Sequence, residues 1–333
     1  MTEEINNFKN KVLEKLHNSN YLNTFETINK DKHNYLELIK AEKIKFNILC
    51  IIVVVIITLS MVPTFLFSNE NLMIISFIFL TILVPLIFYA DKKKIQKIEM
   101  IKRNKNNKFK KIFYDIINEC FPGEFLWSEK FYEHKYIEES CVIPQRFKDK
   151  YFKNSDDDVF CGTYKSVIFN IVETQYLPND GGEYCTYYTV IKLDLNKTYK
   201  GHTVIFEPEV DEILPDNIFT TNQSNLSKIT LEDIEFNKKF RIYSDDQIKV
   251  RYIFTTAFIE RFKKVKNIFN TQRLNCAIYK NSIYFGMETN NIFEFDTTKD
   301  KKQILVDINK TMDEITSLIK VIDILSLDNT TSL

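Results

Sequence analysis

Two long uncharged runs, separated by one acidic residue, constrain most strongly what this chain can fold into. Residues 46–69 and 71–90 contain no Asp, Glu, Lys, Arg or His, and only Glu70 stands between them. Because an α-helix rises about 1.5 Å per residue, the second run is long enough to cross the ~30 Å hydrocarbon core of a bilayer. A pair of buried core helices would usually keep a polar stripe, which neither run has. We predict a two-helix transmembrane hairpin, with spans at about 46–67 and 72–90.

The charges around this hairpin predict its orientation. Lys40, Lys43 and Lys45 precede the first run, a cluster of lysines follows the second, and the connection carries no basic residue. By the positive-inside rule, both termini lie in the cytoplasm, as expected of a multi-pass protein of the bacterial inner membrane. Only six of the 45 basic residues are Arg, which is typical of an AT-rich bacterial genome. The spans hold no ionisable group, so we interpret the hairpin as an anchor, with an oligomeric channel as an alternative.

The formal net charge of zero conceals a strong asymmetry. Residues 91–111 carry +8, whereas residues 112–333 carry −8. A basic segment beside a bilayer is attracted to anionic headgroups, and the acidic remainder disfavours a nucleic-acid partner. A homo-oligomer or an unidentified protein partner stays open. Contact with the membrane surface is predicted for Lys92, Lys93, Lys94, Lys97, Lys102 and Arg103.

The pattern after the hairpin predicts an α+β domain with an antiparallel sheet flanked by helices. Residues 165–176 and 187–195 alternate between apolar and polar side chains on either side of a turn cluster, and a shorter strand follows at 203–206. Residues 274–287 predict a further hairpin. Apolar residues spaced by three and four from Ile304 to Ile322 predict a terminal amphipathic helix. The predicted segments are an amphipathic helical arm at 1–45, the transmembrane hairpin at 46–90, a basic helical stalk at 91–122 and the cytoplasmic α+β domain at 123–333.

A capping box is predicted at the start of one helix in this domain. Ser244 would be the N-cap and Gln247 the residue three positions later. The residues that follow also alternate like a strand, so both interpretations stay open there. Thr256 is predicted to cap the next helix.

The residues able to carry chemistry form no recognisable constellation. His134 and His202 are the only histidines after the stalk, and a Cys161–His202 or Cys185–His202 pair has no motif behind it. The cysteines show no CxxC spacing, so neither a zinc site nor a disulfide is predicted. We therefore predict no catalytic residue, no metal and no cofactor. The cysteines are Cys50, Cys120, Cys141, Cys161, Cys185 and Cys276.

Acidic and aromatic clusters admit structural interpretations. The run Asp156–Asp158 predicts a solvated acidic loop before a strand, and Asp245 with Asp246 predicts a favourable first helical turn. One aromatic group could belong to the core or line a ligand groove. Its members are Tyr184, Tyr187, Tyr188, Tyr284 and Phe285.

Several segments resemble a bacterial membrane-protein family known as domain of unknown function 3137. Residues Asn196–Ile205 resemble its turn-and-strand signature, and Leu231–Asp233 with Phe240–Gln247 and Arg251–Phe258 resemble its second signature. Thr256 departs from the proline expected there. The resemblance implies a membrane hairpin, a basic stalk and a cytoplasmic domain, and it implies no activity.

From these features we expect a non-catalytic binding or interaction module held at the inner membrane face. An enzyme acting on lipid or envelope material at the inner leaflet, through His202 or acidic residues, is the main alternative.

Overall fold

The chain divides into two compact units. The computed structural model describes residues 2–17, 36–58, 70–128, 130–182, 185–195, 199–209, 216–219, 225–269, 271, 273–294 and 301–325. The first unit comprises Met1–Lys15, Phe113–Phe295 and Lys301–Leu333, and the second comprises Leu16–Ile112 and Asp296–Asp300.

A ten-stranded antiparallel sheet forms the centre of the first unit. Its order is β1-β2-β3-β4-β10-β9-β5-β8-β7-β6. The strands are β1 (Gly123–Ser128), β2 (Tyr151–Tyr164), β3 (Val167–Pro178), β4 (Thr186–Asp194), β5 (His202–Phe206), β6 (Asn217–Phe219), β7 (Asn225–Ile229), β8 (Arg241–Ser244), β9 (Asn275–Tyr279) and β10 (Ser282–Thr289).

Helices lie before, between and after these strands. They are α1 (Thr2–His17), α2 (36–58), α3 (Glu70–Cys120), α4 (His134–Ser140), α5 (Gln145–Lys150), α6 (Ile234–Lys239), α7 (Gln247–Ile253), α8 (Thr256–Phe269) and α9 (Lys301–Leu325). With the sheet, they give the α+β architecture that the sequence pattern indicated.

The strand period of two divides the core between the two faces of the sheet. On β3, Phe169 and Ile171 point to the face covered by α9, where they surround a small apolar void with Ile315. Val172 and Tyr176 point to the opposite face, in a cluster with Ile137 and Phe147 from around α4 and α5. The sheet is therefore buried on both faces around β3 and β4, and α4 and α5 cover only part of one of them.

The position of β5 in the sheet differs from the one that its order along the chain would give. Three consecutive antiparallel strands were predicted, but β5 pairs with β8 and β9 and not with β4. The β9–β10 hairpin lies between β4 and β5, with Ser282 opposite Asp194 on one side and opposite Tyr279 on the other. Pairing between segments about 90 residues apart leaves no local signal in the sequence.

Helices α2 and α3 belong mainly to the second unit. Lys97 on α3 forms an ion pair with Glu42 on α2 at 2.8 Å. The Lys94 ammonium lies 3.8 Å from the ring centre of Phe46 and 2.5 Å from Asp91.

The predicted transmembrane hairpin is wrong. Among the residues that the structure describes, no helix is long and apolar enough to cross a membrane. The described apolar part of α2 runs from residue 46 to 58, about 20 Å of helix, and lysines precede it. Of the predicted four-residue connection at 68–71, residues 68 and 69 lie outside the described residues, and Glu70 begins α3. The prediction of a multi-pass inner-membrane protein with a membrane anchor is corrected accordingly.

Candidate functional site

A cavity of about 330 Å³ lies on the face of the sheet that α4 and α5 partly cover. Its floor comes from the central strands and its rim from the two short helices and the start of β2, all within the first unit. A volume of this size lies at the lower end of the range for small-molecule sites. The lining residues are His134, Ile137, Glu138, Ile143, Lys148, Tyr151, Lys153, Thr174, Tyr176, Tyr188 and Val190.

Asp156 connects the polar side chains on one wall of this cavity. Its Oδ2 lies 2.8 Å from His134 Nε2 and accepts a hydrogen bond of 3.1 Å from the backbone N–H of Phe131. Its Oδ1 lies 3.1 Å from the Lys153 ammonium and accepts a 3.5 Å bond from the Thr174 hydroxyl. Burial raises the pKa of Asp156, but the bonds from His134, Phe131 and Lys153 outweigh it and lower the pKa to about 2.

Aromatic rings form and support the apolar wall. The buried Phe147 ring of α5 lies 5.0 Å from the ring of Tyr176, 4.7 Å from that of Tyr188 and 4.9 Å from that of Tyr151. Gly286 leaves room for this packing, since a Cβ there would lie 2.9 Å from the Tyr188 hydroxyl and ring. Aromatic pairs at such distances favour defined ring orientations, so the wall is fixed by packing.

The tyrosine hydroxyls on this wall differ in their hydrogen bonding. The Tyr188 hydroxyl donates to the carbonyl of Val142 at 3.2 Å and accepts from Asn275 Nδ2 at 3.0 Å. The Tyr176 side chain is 8% exposed, yet its hydroxyl makes no hydrogen bond to the described part of the chain. Burial, with the charges of Asp156 and Glu138, raises the pKa of Tyr176 to about 12, so the hydroxyl stays protonated.

A second group of carboxylates lies near β1 on the α9 side of the sheet. Carboxylate oxygens of Asp157, Asp158 and Glu173 lie within 4.8 Å of one another. Trp127 Nε1 donates to Asp158 at 2.7 Å, and the backbone N–H of Ile292 donates to Glu173 at 2.9 Å. The predicted solvated loop is wrong, because these aspartates lie within β2 beside a bulge, and Asp158 is fully buried.

His202 occupies a structural position at the start of β5. Its side chain is buried, and its Nε2 lies 2.9 Å from the carbonyl oxygen of Ser140. Its ring lies 4.7 Å from that of Tyr279. Burial raises the pKa of Cys161, the opposite of what activates a nucleophile. The considered Cys161–His202 pairing therefore gains no support.

The predicted capping box lies two residues from the cap that the structure shows. Asp246 is the N-cap of α7, and its side chain accepts from the N–H groups of Ile248 and Lys249 at 3.0 Å each. Ser244 ends β8, and its hydroxyl accepts from the Asp246 N–H at 3.2 Å. Gln247 is the first residue of the helix.

The cap of α8 also shifts by one residue. Thr255 Oγ1 accepts from the N–H of Phe258 at 3.3 Å, and Thr256 is the first residue of the helix. Both shifts are small, because several neighbouring side chains at each site can accept the same backbone donors.

The basic residues predicted to contact headgroups all lie on α3. Lys92 and Lys93 are exposed, and Lys94 and Lys97 form the ion pairs given above. The side chains of Lys102 and Arg103 lie outside the described part, and headgroup contact stays a prediction for all six.

The aromatic group considered as a groove divides between the two faces of the sheet. Tyr188 forms the cavity floor and Tyr284 shares its face. Phe285 points to the other side, 6.1 Å from Phe262 on α8. Tyr184 lies outside the described residues.

Lys148, Tyr151, Lys153 and Tyr176 were missed as site residues. Lys148 lies on α5, which is too short to leave a periodic signal, and the start of β2, which carries Tyr151 and Lys153, was not predicted as a strand. The alternation along residues 165–176 could have placed Thr174 and Tyr176 on one face.

The fold and site define an α+β domain with a ligand-sized cavity beside its antiparallel sheet. Residues 189–327 match the family described as protein of unknown function (DUF3137), which confirms the resemblance over that segment. Of the cavity lining, only Val190 falls inside that segment.

Other comparisons add little. The crystal structure of the mycobacterial trehalose monomycolate transport factor A, TtfA, shares 10% identity with this chain. Its TM-score is 0.28, and the match covers 59% of this chain and 88% of that one. No curated protein matches the chain.

Proposed function

We propose that this protein is a non-catalytic binding module and that the cavity between α4, α5 and the sheet is its ligand site. The observation that carries the proposal is the cavity itself, which combines an apolar floor of Tyr188 and Val190 with a polar rim. Concave sites with mostly apolar linings and a few convergent polar groups are the usual form of small-molecule sites.

The hydrogen bonding and the pKa of the polar groups in the cavity wall support ligand binding over catalysis. The carboxylate of Asp156 already interacts with three side chains and one backbone N–H through hydrogen bonds and an ion pair, and its bond to His134 holds that ring in place. A general base needs a carboxylate or imidazole poised near the working pH, and the pKa of Asp156 lies far below it. These contacts shape the wall of a site.

A fragment screen with a cavity-filling variant tests the proposal. Ligand-observed NMR on the full chain should find binders that are lost in Val190→Phe, which narrows the floor. Ile168→Phe is the matched control, because Ile168 is 49% exposed on the neighbouring strand β3. Overpacking a buried position costs about 1–3 kcal/mol of folding stability, so one blocking variant alone could lose binding through misfolding. Ile137→Phe, on the α4 wall, is therefore a second and independent blocking variant.

Two results would contradict the proposal. Binders that are retained in both blocking variants would place the ligand site elsewhere. Conversion of a binder to a product by the wild type, lost in the blocking variants, would show an enzyme at this cavity.

A further inference from the structure

The charged groups around the cavity separate into those with partners and those without. His134 and Lys153 both contact Asp156, at 2.8 Å and 3.1 Å, so this wall is close to electrically balanced. Lys148 also lines the cavity, is half-buried and has no ion-pair partner in the described part of the chain. The Lys148 ammonium is therefore a cationic group that can pair with a ligand in the cavity.

Tyr176 supplies a second available donor. Its hydroxyl lacks a hydrogen-bond partner among the described residues, although the side chain is more than nine-tenths buried and lines the cavity. The hydroxyl can therefore donate a hydrogen bond to an acceptor that is bound in the cavity. The packing of its ring against Phe147 at 5.0 Å holds the donor in place.

One group at the rim acts in the opposite direction. Glu138 lines the cavity and carries a negative charge, but the residue is exposed on α4. Water and salt screen an exposed charge far more than a buried one, so Glu138 weakens the preference set by Lys148 and Tyr176 without reversing it.

We infer that the cavity binds a small organic anion, a carboxylate or phosphate group carried on an apolar body. The anionic group accepts from the Lys148 ammonium and the Tyr176 hydroxyl, and the apolar body lies against Tyr188, Val190 and Ile143. Charge-assisted hydrogen bonds of this kind are stronger than neutral ones. The inference rests on the proposed function, because it names the ligand class of the same site.

Four six-carbon probes of matched length test the ligand class on the full chain. Hexanoate and hexyl phosphate carry the two candidate anions, and hexanol and hexylamine are the neutral and cationic counterparts. Titrations followed by NMR or calorimetry should show the anions binding about tenfold or more tightly than hexanol, with affinity falling as salt rises. The ratio of hexanoate to hexyl phosphate affinity identifies which anionic group fits.

Three substitutions test the residues. Lys148→Ala and Tyr176→Phe should each weaken anion binding by about five- to tenfold and leave hexanol binding nearly unchanged. Lys150→Ala, on α5 with its ion pair to Glu209, and Tyr132→Phe, which is 87% exposed, are the matched controls. Glu138→Gln should tighten anion binding severalfold, whereas it would weaken the binding of a cation or zwitterion.

The outcomes separate this inference from the proposed function. If hexanol or hexylamine binds as tightly as the anions and Val190→Phe abolishes that binding, the anion inference fails and the ligand site stands. If the anions bind but Lys148→Ala and Tyr176→Phe have no effect, the inference fails as well. If neither these probes nor any fragment binds in a Val190-dependent way, both are overturned.

Discussion

At the scale of single residues, Asp156 shows why the sequence could name a residue without predicting its role. The acidic run 156–158 is visible in the sequence. A bulge in β2 between Asp156 and Val159 decides which of these aspartates lies at the cavity wall and which belong to the buried carboxylate cluster. A bulge changes the face to which the following residues point. Asp156 thus meets His134 while Asp158 meets Trp127, and neither partner is close in sequence.

Replacing Asp156 by Asn should give a pH-dependent loss of stability. The pKa of Asp156 is about 2 in the folded protein and 3.8 as the reference, so its ionised form stabilises the fold by about 2 kcal/mol. A lowered pKa gives stability that is present above the unfolded pKa and is lost as the pH falls through the folded one. Urea unfolding followed by Trp127 fluorescence should therefore show a gap between wild type and variant at pH 7 that shrinks between pH 4 and 2. A gap that is constant with pH would refute this account.

Trp127→Phe should destabilise the protein through Asp158. The substitution keeps an aromatic ring near Tyr114, whose ring lies 5.7 Å away, but removes the 2.7 Å hydrogen bond to a fully buried carboxylate. Hydrogen bonds to charged groups contribute about 1.5–3 kcal/mol, and the loss should be of that order. Urea unfolding followed by circular dichroism measures it.

The double variant Trp127→Phe/Asp158→Asn provides the control for this prediction. It should recover part of the lost stability, because the double variant no longer buries a carboxylate that has lost one of its hydrogen-bond donors. A single variant as stable as the wild type would show that the bond contributes nothing.

At the scale of elements, the sequence predicted long periodic segments and missed short ones. The β3 and β4 strands, the β9–β10 hairpin and α9 appear close to their predicted bounds, because each carries several turns or alternations of pattern. At the hairpin turn, Lys280 and Asn281 adopt positive φ angles of 47° and 61°, as a two-residue connection requires. Helices α4 and α5 hold only seven and six residues, too few for a periodic signal, and they form the rim of the site.

Asn179 is expected to hold α5 against the end of β3. Its Nδ2 donates to the carbonyl oxygens of Lys148 and Asp149, at 3.3 Å and 2.7 Å, at the C-terminal end of the helix. Carbonyls at a helix end need such partners, and losing both bonds in Asn179→Ala should cost about 1 kcal/mol locally. Hydrogen exchange of residues 145–150 should become faster while β3 keeps its protection.

Asn154→Ala is the matched control for this prediction, since the side chain of Asn154 donates its hydrogen bond to Gln175 on β3 and not to a carbonyl of α5. Equal exchange of α5 in both variants would show that Asn179 does not restrain the helix. Faster exchange across the whole sheet would instead indicate a global loss of stability.

At the scale of the whole molecule, the sequence predicted membrane spans that the described structure does not support, and it gave no sign of how the N-terminal helix is placed. The uncharged runs satisfy a length rule for membrane crossing, yet no helix among the described residues is long and apolar enough to cross a membrane. Conversely, no pattern in the sequence shows that residues 1–15 join a unit that resumes only at residue 113. Such packing depends on side chains distant in sequence.

Phe8→Ala tests that long-range assembly. Phe8 is 3% exposed in α1, and its ring meets Phe121 edge-on at 5.5 Å, while the neighbouring Lys9 pairs with Asp313 on α9 at 2.7 Å. Truncating a buried Phe costs about 3–5 kcal/mol, so the urea midpoint should fall markedly. Trp127, the single Trp in the chain, reports on the first unit by fluorescence. The exposed Asn7→Ala should leave the midpoint unchanged, and an equally unchanged midpoint for Phe8→Ala would show that α1 is not part of the core that the sheet stabilises.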